Sequence, residues 1–455
     1  MKSGKSKQKS GKKIVILGAG ESGTGAAILA KKKGFDVFVS DYGKIGSEYK
    51  SVLTHHDIDF EENGHSFDRI EKAAEIIKSP GIPDTALPVK RAKEKGISVI
   101  SEIEFAARFT HAKLVCITGS NGKTTTTLLI WHILKNAGLN VGLAGNVGKS
   151  FAWQVAEADF DIYVLEISSF QLDGMFNFKA DIAVLTNLTP DHLDRYDNRF
   201  ENYIESKFRI LQNMSEEDAF IFNADDPVTA RELKKRDIIP KKYSLTLSNF
   251  PRENGAWLEN NELIINIHKS RFNMTLEQLA LQGKHNAYNS MAASVAARLL
   301  DVRKENIKQS LSDFENIPHR LEFVSNVHGI TFINDSKATN INSTWYALEY
   351  VEAPTVWIVG GQDKGNDYSE LMALVKKKVK AIVCLGVDNS KLHAAFEDMV
   401  DLMVDAGSAK EAVTYAYNLA KKGEIVLLSP ACASFDLFEN YQDRGDQFKK
   451  AVKEL

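Results

Sequence analysis

The stretch LVCITGSNGKTTTT, residues 114–127, decides the architecture of the central part of the chain. An apolar run typical of a buried strand ends at Thr118, a turn with two glycines follows, and residues 128–136 have a helical pattern. In such a turn the backbone N–H groups point inward and, with the positive end of the helix dipole, hold phosphate oxygens. Lys123 can reach the β- and γ-phosphates of a nucleotide, and the Thr124 hydroxyl can ligate Mg²⁺. The stretch therefore predicts a phosphate-binding loop, with the spacing GxxGKT instead of the general GxxxxGK[ST].

Similar short apolar runs alternate with amphipathic stretches along most of the chain, which indicates βαβ units and parallel sheets. The runs predicted to be buried strands are residues 14–17, 37–39, 114–118, 162–165, 182–185, 356–359, 382–385 and 425–428. Residues 244–275 alternate polar and apolar side chains between Asn-containing turns, which predicts a small antiparallel insertion. Parallel sheets bind ligands at the carboxyl ends of their strands, so the turns after these runs are the candidate sites.

The length of 455 residues corresponds to about three domains. We predict an α/β protein with a Rossmann-like N-terminal domain at residues 14–110. A central P-loop ATPase-like domain with a parallel sheet follows at 111–317, and a Rossmann-like C-terminal domain at 318–455. Residues 1–13 hold six lysines and no acidic residue, and they are predicted to be a disordered basic tail.

Composition excludes several classes of function. Six of the 57 Lys and Arg residues lie in that tail, and the remaining 51 are outnumbered by 60 Asp and Glu residues. The body of the chain is therefore mildly acidic, and a nucleic-acid groove is not expected. The three cysteines are far apart in sequence, which excludes a zinc knuckle and argues against a disulfide framework. No apolar run approaches the ~18 residues of a membrane span. We therefore expect a cytoplasmic protein without a nucleic-acid or membrane partner.

A second glycine-rich turn, GAGESG at residues 18–23, follows the first predicted strand and matches GxGxxG. Asp41 comes after the next strand, at the distance expected for the acidic residue of a dinucleotide site. The physical argument predicts only a pyrophosphate at a helix N-terminus. A nicotinamide dinucleotide, another nucleotide such as UDP, and plain strand–helix packing all remain compatible with the motif.

Two further strands of the central domain end in residues suited to metal chemistry. Glu166 follows the strand at 162–165, and His192 lies in the polar run after the strand at 182–185. A carboxylate beside a phosphate loop is well placed to ligate Mg²⁺ or to orient water. Lys207 lies on a predicted helix, and nothing in its local pattern distinguishes it from a solvated lysine. Asn286 and Asn289 precede a helix predicted at 290–300, where they could either read a base edge or cap the helix.

In the C-terminal domain, three separate strand ends offer Lys337, Lys364 and Ser434. A cationic cluster of this kind suits a small dicarboxylate, because charge-assisted hydrogen bonds are the strong ones. Each lysine taken alone would more often be solvated.

Taken together, eight motifs in this order resemble the Mur ligases, ATP-dependent amide ligases of peptidoglycan precursor synthesis. The resemblance runs from about residue 14 to the C-terminus. The motifs are TGSNGKTTT (118–126), LEISSFQL (165–172), NLTPDHLDRY (187–196), GKHNAYN (283–289), PHRLE (318–322), NDSKATN (334–340), GGQDKG (360–365) and LLSPACASFD (427–436).

The resemblance implies a role for each domain. The first domain would bind the UDP-sugar substrate, which reassigns the turn at 18–23 away from NAD, and the implied contacts are Gly20, Ser22, Asp41, Tyr42, Gly81, Asn146 and His192. The loop and its surroundings would bind ATP through Gly119, Ser120, Asn121, Gly122, Lys123, Thr124, Thr125, Asn286, Asn289, Arg320 and Asp335. The third domain would hold D-glutamate through Lys337, Thr339, Lys364, Ser434 and Tyr441.

The resemblance also implies two Mg²⁺ ions. Thr124 and Glu166 would hold one, and His192 with a carbamylated Lys207 would hold the other. Lys123, Glu166, His192 and Lys207 would then be the catalytic residues. The protein is expected to be a monomer that acts on small molecules.

Within the family, Asn121 differs from the His typical of the L-alanine-adding members, the Asp-Asn-Pro-Arg signature of the diaminopimelate-adding members is absent, and the run SSFQL favours the D-glutamate-adding members. The implied reaction joins D-glutamate to UDP-N-acetylmuramoyl-L-alanine through an acyl phosphate, with domain closure. The alternatives are a Mur or folylpolyglutamate-synthase-like ligase of other amino-acid specificity, a nicotinamide-dependent oxidoreductase, and a nucleotide-sensing protein without catalysis.

Overall fold

Three sheets dominated by parallel strands organise this computed structural model, which describes residues 11–248, 254–314, 318–363 and 365–455. Described residues up to Asp313 form one compact unit, and those from Phe314 onward form a second. The parallel sheets with intervening helices confirm the predicted α/β class. Most of the predicted basic tail, residues 1–10, lies outside the described residues.

The first sheet has five strands in the order β3-β2-β1-β4-β5, all parallel. Its strands are β1 Lys13–Leu17, β2 Asp36–Ser40, β3 Asp59–Glu61, β4 Glu75–Lys78 and β5 Ser98–Ser101. The helices between and after them are α1 Glu21–Lys32, α2 Ser47–His55, α3 Phe67–Ile70, α4 Leu87–Glu94 and α5 Glu102–Ala107. Residues Ile14–Leu17 are buried throughout, as expected for a strand covered by helices on both faces.

The second sheet has nine strands in the order β14-β13-β12-β11-β10-β9-β6-β8-β7. Its strands are β6 Lys113–Thr118, β7 Val141–Gly145, β8 Ile162–Glu166, β9 Ile182–Leu185, β10 Ala219–Asn223, β11 Lys241–Thr246, β12 Gly255–Glu259, β13 Glu262–Ile267 and β14 Ser270–Thr275. The strands β12, β13 and β14 pair antiparallel, which confirms the predicted insertion. Its helices are α6 Lys123–Asn136, α7 Phe151–Glu157, α8 Ser169–Leu172, α9 Phe200–Phe208, α10 Pro227–Leu233, α11 Lys284–Leu299 and α12 Lys304–Ser312, with 3₁₀ turns at Leu193–Arg195, Arg209–Leu211 and Leu276–Gln278.

The third sheet, in the second unit, has six strands in the order β15-β16-β20-β17-β18-β19, with only β15 antiparallel to its neighbour. Its strands are β15 Glu322–Val327, β16 Ile330–Asn334, β17 Thr355–Gly360, β18 Val379–Leu385, β19 Leu402–Ala406 and β20 Ile425–Ala431. Its helices are α13 Ile341–Tyr350, α14 Met372–Lys378, α15 Ser390–Phe396, α16 Ala409–Leu419 and α17 Tyr441–Lys453, with a 3₁₀ turn at Tyr368–Leu371.

The eight predicted strands all lie within observed strands, but two helices begin earlier than predicted. Helix α6 begins at Lys123, and its first turns consist of this lysine and the four threonines that follow the loop. Helix α11 begins at Lys284, and Gly283 is its N-cap residue. Asn286 and Asn289 therefore lie inside the helix, and the alternative in which they cap it is wrong.

The first two sheets share a hydrophobic core, and two buried carboxylates of α5 strengthen their connection. Glu102 accepts hydrogen bonds from the Ser150 hydroxyl at 2.8 Å and from the N–H of Ala152 at 2.6 Å, at the start of α7. Glu104 accepts the N–H groups of residues 176–178 at 2.9–3.2 Å. The predicted boundaries at 110/111 and 317/318 stay predictions, and residues 315–317 lie outside the described residues.

None of the described helices combines the length and the apolarity that crossing a bilayer requires.

Candidate active site

The phosphate loop, residues 119–122, connects β6 to α6 and depends on its two glycines. Gly119 has φ +140° and Gly122 has φ +80°, a region that favours glycine. A Cβ on Gly119 would lie 2.0 Å from Oγ1 of Thr186, and one on Gly122 would lie 2.6 Å from Oδ1 of Asn289. The backbone can therefore follow this path only with glycine at both positions.

The segment after β9, residues 186–189, holds the loop from one side. The N–H of Ser120 donates to the carbonyl of Asn187 at 2.9 Å, and the N–H of Asn121 donates to the Asn187 side-chain oxygen at 3.0 Å. The Thr186 hydroxyl donates to the carbonyl of Asn121 at 2.5 Å, and the Ser120 hydroxyl donates to the carbonyl of Thr189 at 2.8 Å. Sequence reasoning did not assign Asn187 a role, although a polar run directly after a buried strand was the available signal.

Helix α11 contacts the other side of the loop. The Thr126 hydroxyl donates to Oδ1 of Asn289 at 3.1 Å, and the Asn289 amide donates to Oδ1 of Asn286 at 3.1 Å. The two asparagines thus share a face of α11. The structure brings both residues to the start of α6.

Lys123 is folded back over the loop. Its Nζ donates to the carbonyls of Gly119 at 2.8 Å and Ser120 at 2.7 Å. Thr124 and Thr125, which follow it, are buried. The ammonium group and the free end of α6 therefore present positive charge at the same loop, which is the arrangement that phosphate binding requires.

Glu166 ends β8 at the same edge of the sheet and is buried. It pairs in register with Ile117 of β6, one residue before the strand end. The side-chain amide of Asn146 donates to its Oε1 at 2.8 Å, and a Cβ on Gly145 would lie 2.3 Å from its backbone oxygen. Asn146 and Glu166, which the resemblance assigned to different ligands, are thus direct neighbours.

Lys207 reaches this strand edge from α9. It is only 2% exposed, and its Nζ donates to the Thr118 hydroxyl at 3.1 Å, while that hydroxyl donates to the carbonyl of Ile167 at 2.7 Å. The amine thus lies against the last residue of β6, directly before the phosphate loop. No local sequence signal identified this lysine, because its burial results from the packing of α9 on the sheet.

The electrostatic surroundings of Lys207 favour its neutral form. Burial, and after it the positive charge of Lys123, lowers the pKa of Lys207 well below its usual value of 10.5. The negative charges of Asp191, Glu166 and Asp173 act in the opposite direction but do not outweigh burial. A neutral amine is nucleophilic, so this lysine differs chemically from a lysine at the surface.

His192 adopts a left-handed backbone conformation, with φ +52°, at the start of the 3₁₀ turn Leu193–Arg195. Its ring packs edge-on against Phe170 at 5.1 Å between centroids, and its Nε2 lies 3.7 Å from Asp191. The Arg195 guanidinium lies over the Phe170 ring, 4.4 Å from the ring centre. It also donates to the carbonyl of Gly81 at 3.3 Å. The structure therefore connects Gly81, from the first sheet, to the His192 segment. Phe170, which holds both side chains, was not among the predicted site residues.

The turn at residues 18–23 is held by Asp41, the residue that follows β2. The Asp41 carboxylate accepts the N–H of Ala19 at 2.7 Å and the N–H of Gly43 at 2.8 Å. A Cβ on Gly23 would lie 1.8 Å from the carbonyl oxygen of Gly18. Gly20 precedes α1, and Ser22 lies in the first turn of this helix. Tyr42, the residue after Asp41, is 80% exposed.

In the second unit, Asp335 follows β16 and is buried. Burial raises the pKa of Asp335 to about 7, although the charge of Arg320 and a hydrogen bond from the Ser429 hydroxyl at 2.9 Å act against this shift. The N–H of Leu321 also donates to this carboxylate, at 3.2 Å. Arg320 and Asp335, both assigned to ATP, thus interact with each other.

Of the residues assigned to D-glutamate, Lys337 and Tyr441 are neighbours: Nζ of Lys337 lies 5.4 Å from the centre of the Tyr441 ring. The N–H of Thr339 donates to the carbonyl of Lys337 at 3.0 Å, and Ser434 is buried in the turn after β20. Lys364 lies outside the described residues.

A cavity of about 330 Å³ opens beside the ends of β17 and β20 in the same unit. Sequence reasoning did not predict it. The motifs GGQDKG and LLSPACASFD were the available signal, because they supply residues of its lining, which includes Gly361, Asp363, Tyr368, Lys391, Cys432 and Asp436.

The chain is similar in sequence and fold to known proteins. Three family profiles match: the MurD N-terminal domain at residues 13–87, the Mur ligase middle domain at 117–297 and the Mur ligase glutamate ligase domain at 319–432. The UDP-N-acetylmuramoylalanine–D-glutamate ligase of Bacteroides fragilis (strain NCTC 9343) is 58% identical over 447 residues, covering 98% of this chain and all of that protein. The enzyme of the same name from Christiangramia forsetii is 56% identical over 445 residues, with the same coverage. Among solved structures, the MurF ligase from Thermotoga maritima in complex with ADP is similar in fold, with a TM-score of 0.59 at 16% identity, covering 92% of this chain and 95% of that one.

Replacing Lys207 with Met should stabilise the protein. The Met side chain fills a similar buried volume without an amine. In buffer free of Mg²⁺ and bicarbonate, the free energy of unfolding should therefore rise by roughly 1–4 kcal/mol. Unfolded Lys207 binds a proton near its usual pKa of 10.5, whereas the folded protein keeps the amine neutral down to a lower pH. The free energy of unfolding of the wild type therefore falls as the pH drops below 10.5. The stability advantage of the Met variant should grow until the pH reaches the lowered pKa of folded Lys207.

Urea unfolding of both proteins between pH 6 and pH 9 measures this difference. Replacing the exposed Lys90 with Met is the matched control and should leave stability nearly unchanged. A Lys207→Met variant that is less stable than the wild type, or equally more stable at every pH, would contradict the neutral buried amine.

Proposed function

Since the chain belongs to the Mur ligase family, we propose that it joins D-glutamate to UDP-N-acetylmuramoyl-L-alanine at the expense of ATP, in the synthesis of peptidoglycan precursors. One observation carries the chemistry: the phosphate loop, Glu166 and Lys207 meet at the carboxyl ends of β6 and β8. The amino-acid specificity is supported by relatives at 54–58% identity over nearly the whole chain that carry this enzyme's name.

The proposed reaction begins with phosphoryl transfer. One oxygen of the alanyl carboxylate attacks the γ-phosphorus of ATP, the bond to the β-phosphate oxygen breaks, and an acyl phosphate and ADP result. The N–H groups of the phosphate loop and the Lys123 ammonium would stabilise the negative charge of the transferred group. The conformation of Lys123 over the loop carbonyls supports this role, because its charge already lies where the phosphate would bind.

In the second step the neutral amine of D-glutamate attacks the acyl carbon. The C–N bond forms, the C–O bond to phosphate breaks, and the amine loses its proton as inorganic phosphate leaves. Lys337 and Ser434, which we propose as ligands of D-glutamate together with Thr339, Lys364 and Tyr441, would hold its carboxylates by charge-assisted hydrogen bonds. Holding the amine against the acyl phosphate gives the step its advantage over the reaction in solution.

The UDP-sugar would bind along the first sheet and reach the phosphate loop. The contact between Arg195 and Gly81 supports this assignment, because it joins a turn of the first sheet to the His192 segment of the second. Gly20, Ser22, Asp41 and Tyr42 would then bind the nucleotide end, and Asn146 would bind near the reacting carboxylate. The neighbouring position of Asn146 and Glu166 supports this placement.

The Glu166 carboxylate and the nearby Thr124 hydroxyl offer the oxygen ligands that Mg²⁺ prefers. The Thr124 hydroxyl and the Glu166 carboxylate would hold one ion, and His192 with a modified Lys207 would hold a second. Bound Mg²⁺ would neutralise the charge that develops on the phosphates. We also propose that the enzyme works in the cytoplasm as a monomer.

The proposed modification of Lys207 is a carbamate. The neutral amine attacks CO₂, a C–N bond forms, and one proton leaves to solvent, so that a buried neutral amine is replaced by an anion with two oxygen donors. Its surroundings support this, because burial and Lys123 favour the neutral, nucleophilic form of the amine.

Carbamylation is tested by ¹³C NMR after equilibration with ¹³C-bicarbonate. The wild type should show a carbamate carbon signal that disappears on acidification. The Lys207→Arg variant lacks the nucleophilic amine and cannot form the carbamate, so it should lack that signal. Identical spectra for the two proteins would refute the modification.

The amino-acid specificity is tested by phosphate release with ATP, Mg²⁺ and UDP-N-acetylmuramoyl-L-alanine. D-Glutamate should support turnover, whereas L-glutamate, L-alanine, L-lysine and diaminopimelate should support at least about a hundredfold less, because their charges or chirality do not match the site. Lys123→Ala is the control for chemistry at the loop and should lower kcat by about 10²–10³-fold. Equal turnover with another amino acid, or phosphate release that needs no amino acid, would contradict the proposal.

A further inference from the structure

Arg444 is a buried cation whose guanidinium donates hydrogen bonds at or just after the ends of three strands in the second unit. Its residue is 1% exposed, and it lies in the first turns of α17. Nε donates to the Ser336 hydroxyl at 3.0 Å, Nη2 to the Ser336 carbonyl at 2.9 Å, and both Nη atoms to the Cys432 carbonyl at 3.3 Å. Nη1 also lies 3.4 Å from the carbonyl oxygen of Gly360. Burial lowers the pKa of Arg444 to about 10, so the guanidinium stays charged at neutral pH.

Each of these acceptors lies within a few positions in sequence of a proposed ligand of D-glutamate. Ser336 directly precedes Lys337, Cys432 lies two positions before Ser434, and Gly360 ends the strand that leads into the GGQDKG turn. One guanidinium therefore joins the ends of β16, β17 and β20.

The start of α17 is tied to the same point. The Ser336 hydroxyl donates to the carbonyl of Tyr441 at 2.8 Å, and the Tyr441 ring lies beside Lys337. Arg444 is one helical turn after Tyr441 on this helix. The guanidinium and the proposed aromatic contact thus belong to one rigid element.

From this arrangement we infer that Arg444 is a positioning residue for the amino-acid substrate: its guanidinium sets the spacing between the segments that carry Lys337, Ser434 and Tyr441. The inference rests on the proposed function, which makes those residues ligands of D-glutamate. A planar guanidinium with five donors fixes several carbonyls at once, whereas the flexible ammonium of lysine cannot span the same acceptors.

A purely structural role would not need this residue type. Buried charged groups are costly, and an apolar side chain of similar volume often stabilises a core equally well or better. The use of a guanidinium here is explained by the geometry it imposes on three loops, because displacements of about 1 Å in a binding constellation cost up to about a hundredfold in rate.

The test is steady-state kinetics of Arg444→Lys with all three substrates varied in turn. The KM for D-glutamate should rise by about ten- to a hundredfold, while the KM for ATP and for the UDP-sugar stays within about twofold. Val452→Ala is the matched control, because this buried residue lies farther along the same helix and contacts the apolar core. It should lower the unfolding temperature without changing the KM for D-glutamate.

An Arg444→Lys enzyme with an unchanged KM for D-glutamate, or with all three KM values raised alike, would overturn the inference. Arg444→Gln, which keeps a planar group with fewer donors, gives a second readout and should produce a larger rise than lysine if the number of donors decides. The wild type separates this inference from the proposed function. If the wild type turns over with a different amino acid, the proposed function fails, and the same comparison of KM values with that amino acid still decides the role of Arg444.

Discussion

The hydrogen bonds between the phosphate loop and residues 186–189 are the constraint on which the rest of the central site depends. Phosphoryl transfer requires little covalent chemistry from the protein, so catalysis comes from positioning and electrostatics. The loop can be positioned this closely only because Gly119 and Gly122 leave room for Thr186 and Asn289. The adjacent strands β9, β6 and β8 then deliver Asn187, Lys123 and Glu166 to one edge of the sheet.

Three buried ionisable groups lie at the two regions that we assign to function. Lys207 lies beneath the phosphate loop, and Asp335 and Arg444 lie behind the strand ends of the second unit. Burial disfavours the charged form of each group, so each lowers the stability that an apolar core of the same volume would give. Such costs are expected where a protein keeps a group for chemistry or for geometry. Burial favours the neutral form of the Lys207 amine, and the Arg444 guanidinium holds three loops together.

The local sequence pattern was sufficient for much of the fold. Each of the eight apolar runs lies within an observed strand, because strands covered on both faces must be continuously apolar. The antiparallel insertion was predicted as well, from the alternation of its residues. The starts of α6 and α11 were wrong, because tertiary contacts such as that between Thr126 and Asn289 extend each helix into polar sequence.

The candidate site was predictable only where a motif joins neighbouring residues. The loop 119–122 is contiguous, so its chemistry follows from its sequence, and Glu166 follows from its place at the end of a strand. Lys207 and Arg444 are distant from the loops that they contact, and their local patterns are those of ordinary surface helices. Their roles depend on burial, which arises from the packing of α9 and α17 and is not encoded in any short segment. Family resemblance supplied Lys207 but not Arg444.

The central claim is that ATP activates the alanyl carboxylate at the phosphate loop. It is tested most directly with UDP-N-acetylmuramoyl-L-alanine in which both carboxylate oxygens are ¹⁸O, followed by analysis of the inorganic phosphate. Each phosphate released during amide formation should contain one ¹⁸O atom, because the oxygen that attacked phosphorus leaves with it. Amide product accompanied by phosphate without ¹⁸O would contradict the acyl-phosphate route and the assignment of the loop to it.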